Sequence, residues 1–171
     1  MTGKQPSAAA RRRVAEAFDA GKLAHICETW DFSPYAERFD LTPPPNGDER
    51  FYWHRDNGSK ILAVAHLDTV QDDRRCNVVD TASGLLAVSG ALDDRLGAYV
   101  ILELLPRLGM TFDVLLTTDE ERGRSTADEF ETDKDYDWVI EFDRGRPDVA
   151  THDDETADHH PLAQAHRARE G

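Results

Sequence analysis

The tightest constraint on this 171-residue chain is Ile61 to Ala65, a run that is apolar without a break. A strand with water on one side alternates apolar and polar residues, so a run polar on neither face reads as a central strand covered on both sides. The same type of run recurs at Phe112 to Leu116 and at Trp138 to Phe142, and a helical stretch, Leu96 to Leu108, separates the first two. This alternation of strand, helix and strand predicts an α/β fold, a three-layer α/β/α sandwich around a mainly parallel, mixed sheet.

The flanking segments fill in the organisation. Ala8 to Phe18 places Val14, Ala17 and Phe18 at helical spacing behind Arg11, Arg12 and Arg13, which predicts an opening amphipathic helix with the Arg triplet as its solvated face. Leu41 to Gly47, with Pro43, Pro44 and Pro45, is a loop; Phe51 and Trp53 followed by Asp56-Asn57-Gly58 read as a strand entering a hairpin turn. Thr81 to Val88 is a further hairpin arm, with Ser83-Gly84 as its turn signal. The character changes from Arg144, and too little apolar material follows to join a core. The expected organisation is one domain over residues 1–150 and a polar, disordered tail over 151–171.

Composition serves to exclude functions. Lys and Arg number 20 against 34 Asp and Glu, a formal net charge of −14, which argues against a basic nucleic-acid binder. No apolar run approaches the roughly 20 residues of a membrane span, and the first 20 residues lack the apolar centre of a signal peptide. A soluble, cytoplasmic protein without a membrane partner is expected. Cys27 and Cys76 alone make neither a disulfide framework nor a cysteine-rich zinc knot.

In an open parallel sheet, ligands collect beyond the carboxyl ends of the strands. The first run delivers His66-Leu67-Asp68, whose period-two spacing puts imidazole and carboxylate on one side of the extended chain. The second exits through Thr118-Asp119 into Glu120-Glu121, and the third into Asp143. Asp93, in Gly90-Ala91-Leu92-Asp93-Asp94-Arg95-Leu96-Gly97, stands near a helix N-terminus. Each has an ordinary reading as well: His66 a hydrogen-bonded core histidine, Asp93 a helix cap, Glu120-Glu121 a solvated turn, Asp143 a loop residue. Together, one imidazole and four carboxylates in one cleft are costly unless cations neutralise them. Imidazole with carboxylates suits zinc, and a second Glu suits a general base acting on metal-activated water.

Ala65-His66-Leu67-Asp68-Thr69-Val70, the Gly90 to Gly97 segment, Thr118-Asp119-Glu120-Glu121-Arg122-Gly123 and Phe142-Asp143 resemble, in order and spacing over residues 60 to 145, the motifs of the co-catalytic di-zinc exopeptidases. That superfamily contains aminopeptidases, carboxypeptidases and amide-bond deacylases. The resemblance implies two zinc ions. His66 would bind one of them, and Asp68, counted with the catalytic residues, would orient the His66 imidazole. Asp93 would bridge both metals, Glu121 would bind the other zinc, Asp143 would add a ligand to the zinc held by His66, and Glu120 would be the catalytic base. The function expected on this basis is zinc-dependent hydrolysis of peptide or acyl-amino-acid amide bonds, with a small peptide or acyl-amino-acid substrate and a homo-oligomeric state compatible with the family.

The chain departs from the family pattern after Asp143, where members continue to a late His that completes the second zinc. Here His152, His159, His160 and His166 stand in the polar tail, which reads as a truncation or frame change. The alternative function is therefore a shortened, catalytically impaired metal-binding relative that acts as a binding or interaction protein.

Overall fold

The computed structural model describes residues 6–39, 50–81 and 84–143. The proline-rich loop over 41–47, the Ser83 turn position and the tail from 144 onward, with its four histidines, lie outside the described residues.

The strands are β1 (Trp53–Arg55), β2 (Ile61–His66), β3 (Asn77–Thr81), β4 (Gly84–Val88), β5 (Asp113–Thr117) and β6 (Trp138–Glu141). Four of them form a mixed sheet in the order β1-β5-β2-β6, while β3 and β4 pair antiparallel as a separate hairpin. Strand β2 runs parallel to both neighbours, with Val64 opposite Leu115 on one side and Glu141 on the other. The α/β class and the mostly parallel sheet follow the expectation from the apolar runs.

The unbroken run of β2 is explained by what covers each face. Ala63 and Ala65, with Val114 and Leu116 of β5, pack into the main core; Leu62, Val64 and Leu115 pack on the other side against Phe130 and Tyr136. Each valine or leucine side chain among these contributes about 1.5–3 kcal/mol when taken out of water, and each alanine methyl about 0.8 kcal/mol.

The helices are α1 (Ala8–Ala17), α2 (Ala20–Glu28), α3 (Ser33–Phe39), α4 (Leu92–Tyr99) and α5 (Leu105–Arg107), with a π-helical turn, Val100–Leu104, joining the last two. The expected opening helix is present, and Arg11, Arg12 and Arg13 are exposed on it. Two further helices, α2 and α3, follow. Asp19 caps α2 by accepting the Lys22 amide at 3.0 Å, and Leu23, Ile26 and Cys27, at helical spacing, are its buried stripe. The helix expected from Leu96 begins at Leu92. Its widened turn has a local cause: Pro106 has no amide to offer the Leu102 carbonyl one turn back, and the Arg38 guanidinium donates to that carbonyl instead.

Two expectations are corrected. Strand β1 does not form a hairpin with β2; it pairs antiparallel with β5, Trp53 opposite Leu116. The Asp56-Asn57-Gly58 turn is held to the start of β5, where the amides of Asn57 and Ser59 donate to Asp113 Oδ1 at 2.8 and 3.1 Å and Asn57 Nδ2 donates to the Phe112 carbonyl at 2.8 Å. Strand β6 is not a central strand among the described residues but an edge, with Trp138 68% exposed and Val139 and Ile140 also exposed. The helices that pack on the sheet gather on the side of Ala63 and Ala65, and Phe130 and Tyr136 pack on its other face.

Candidate metal centre

Because β2, β5 and β6 are parallel, their carboxyl ends share one edge of the sheet. The pairing continues past the strands: the Leu67 amide donates to the Thr117 carbonyl at 2.8 Å and the Phe142 amide to the Val64 carbonyl at 3.4 Å. His66, the turn that starts at Asp119, and Asp143 are therefore carried to one place, and the N-terminal end of α4 brings Asp93 beside them.

His66 is buried at the base. Its Nδ1 lies 3.1 Å from the Asp68 main-chain carbonyl, so the tautomer that donates there leaves the Nε2 lone pair free. Nε2 is buried without a hydrogen-bond partner among the described residues. It faces Asp93 Oδ1 at 3.6 Å, Glu120 Oε2 at 3.7 Å and Asp143 Oδ2 at 3.9 Å. One ligand atom each from His66, Asp93 and Asp143 fall within 4.8 Å of one another, a group that could hold a metal ion.

Asp68 does more than the expected orientation of His66. Its carboxylate is 3.4 Å from His66 Nδ1, and it also accepts the amides of Glu120 at 3.4 Å and Glu121 at 3.2 Å. One side chain thus ties the end of β2 to the turn after β5. That turn, a 3-10 segment over Glu120–Arg122, opens on Asp119 in the left-handed region at φ 64°. The Asp119 carboxylate is held away from the metal group by Arg50 at 3.0 Å and Arg124 at 3.3 Å. Arg50 was invisible to sequence reasoning, since it stands between a loop and a strand and belongs to no motif.

Glu120 and Glu121 lie outside the three-residue group. Glu121 senses the same charges, its carboxyl raised by burial and by Asp93, Glu120 and Asp68 against the pull of His66. Asp94, the neighbour of the candidate ligand Asp93, is buried beside the cluster; its Oδ1 accepts the Gly97 amide at 2.9 Å, and its Oδ2 has no partner among the described residues. It does the capping that competed with ligation as a reading of Asp93, which leaves Asp93 turned to His66.

The electrostatics describe a pocket short of positive charge. Burial pushes the His66 imidazole down, but Asp68, Asp94 and Asp143 outweigh it and raise it to about 9. Burial raises the Asp143 carboxyl to about 6, with Asp93 adding to the effect. Protons and metal ions compete for such a site, since ligands bind metal in their deprotonated forms. An orphaned buried imidazole nitrogen facing carboxylates on three sides fits a cation.

No protein-family model, no curated protein and no solved structure matches this chain.

Proposed function

We propose that the chain is a zinc-dependent hydrolase of peptide or acyl-amino-acid amide bonds, of the kind its motifs resemble. The observation that carries this reading is the buried, unpartnered His66 Nε2 facing Asp93, Glu120 and Asp143. His66, Asp93 and Asp143 would hold the zinc, a donor set of imidazole and carboxylates that zinc accepts. Bound zinc supplies Lewis acidity, polarising a carbonyl and acidifying water. Glu120 is the base: its carboxylate stands 3.7 Å from Nε2, partly open to solvent, and its amide is anchored on Asp68. From there it takes a proton from the attacking water and returns it to the leaving amine.

The test pairs metal analysis with kinetics. The purified protein should carry zinc and hydrolyse members of a dipeptide and acyl-amino-acid panel, while Glu120→Gln keeps its zinc and loses about 10²- to 10⁴-fold in rate. Equal rates in wild type and variant would remove Glu120 from the role. A second reading, a metal-binding protein without catalysis, is favoured by the position of Glu121 outside the group of ligand atoms. Zinc retained at full occupancy with the whole panel left intact would decide for it.

A further inference from the structure

Two guanidiniums stand together elsewhere in the fold, with no ion-pair partner among the described residues. Arg95 is 0% exposed. Its Nη1 donates to the carbonyls of Ile26 at 3.0 Å and Thr29 at 2.9 Å, at the C-terminal end of α2. Its Nε and Nη2 have no hydrogen-bond partner among the described residues, and neither do Nε and Nη1 of the half-buried Arg74. The two guanidinium carbons lie 5.2 and 4.0 Å from the centre of the same ring, Trp30, and Arg95 also lies 4.8 Å from the ring of Phe32. Among the described residues no carboxylate pairs with either cation.

This arrangement breaks the rule that buried charges are paired. The aromatic faces offset part of the cost, yet they leave two like charges beside each other and four donors unused. Water would satisfy donors but not charge. The free Nε and Nη2 of Arg95 share one edge of its plane, the fork that grips two oxygens of a carboxylate or phosphate, while the carbonyls of Ile26 and Thr29 fix that fork in place. Trp30, the ring against both cations, is 61% exposed, so movement of this surface side chain would open a way to the donors, while Phe32 on Arg95 belongs to the core. In a chain of net charge −14, an anion is drawn here by these donors and not by the overall field.

We propose that Arg74 and Arg95, beside Trp30, form a binding site for a small oxyanion, a phosphate or a carboxylate. It shares no residue with the group of His66, Asp93 and Asp143, although Arg95 feels the charge of Asp68, and it does not depend on the hydrolase reading.

Calorimetric titration of the full chain decides it, with inorganic phosphate in one arm and acetate in the other, at an ionic strength held constant with chloride. At least one arm should saturate near one anion per chain and change the tryptophan emission, and the arm that saturates names the source. Arg74→Gln should weaken that binding at least tenfold while zinc content stays as in wild type. Arg95→Lys keeps the charge but loses the fork, and should weaken it as well. If neither anion saturates, or if Arg74→Gln binds as wild type does, the site is overturned; Arg74 is half-buried, so that variant decides the matter even where Arg95→Lys fails to fold.

Discussion

At the start of α4, Asp93 turns its carboxylate to His66 Nε2 at 3.6 Å, while the next residue, Asp94, is buried and accepts the Gly97 amide at 2.9 Å. Burial, with Asp143 and Asp93 adding to it, raises the Asp94 carboxyl to about 8 against the opposing effect of His66. A Cβ on Gly97 would collide with that carboxylate. Gly97→Ala should therefore cost about 1–3 kcal/mol, as overpacking does, and lower the melting temperature by about 2–4 °C for each kcal/mol in a chain of this size. An unchanged melting curve would mean that Asp94 is free to move away. The sequence showed two aspartates at a helix start, one of them a candidate ligand. It could not show which of them caps, because that depends on backbone angles at Asp93 and Asp94 that depart from the helix.

At the scale of elements, β5 and β6 look alike as sequence and differ in place. Leu115 is fully buried between Leu62, Val64 and the Phe130 side, whereas Trp138 is largely exposed on the edge strand. Leu115→Ala should cost about 2–5 kcal/mol and Trp138→Ala within about 0.5 kcal/mol, measured by urea unfolding. Comparable losses would place β6 inside a core. The turn after β1 is governed by Asp113, which is buried and accepts Lys134 Nζ at 2.6 Å and Tyr136 Oη–H at 2.8 Å besides the Asn57 and Ser59 amides. Burial alone pushes its carboxyl up, but Lys134 and these hydrogen bonds outweigh it and hold it below the ordinary 3.8. Its contribution is thus complete above the ordinary carboxylate value and is lost as the pH falls through the lowered folded value. Asp113→Asn should cost about 3–5 kcal/mol near neutrality, and the gap to wild type should narrow on acidification below 3.8. A gap that stays constant at the acid end would assign the loss to packing instead of charge. The Asn57-Gly58 signal located this turn but not its destination, since the acceptor that anchors it lies 56 residues away.

For the whole molecule, a net charge of −14 and an anionic pocket at the carboxyl edge of the sheet make a cation the natural stabiliser. Zinc at a thousandfold excess over its dissociation constant should add about 4 kcal/mol to the folded state, read as a rise in melting temperature that a chelator reverses. An unchanged melting temperature would mean that the folded chain does not prefer zinc. The sequence by itself determined that the chain builds an α/β sheet and that its ionisable groups sit at strand ends, because runs of apolar residues and the residues that follow them are local properties of the chain. It also singled out His66, Asp93 and Asp143, which the structure brings together, though with Glu121 outside their group. Only the tertiary structure decided that β1 joins β5, that β6 is an edge, that Asp68 ties two strand ends together and that Arg50 holds Asp119 aside. Those are matters of a few ångströms between residues up to 69 positions apart, set by the sum of long-range contacts over the whole core, to which no local pattern corresponds.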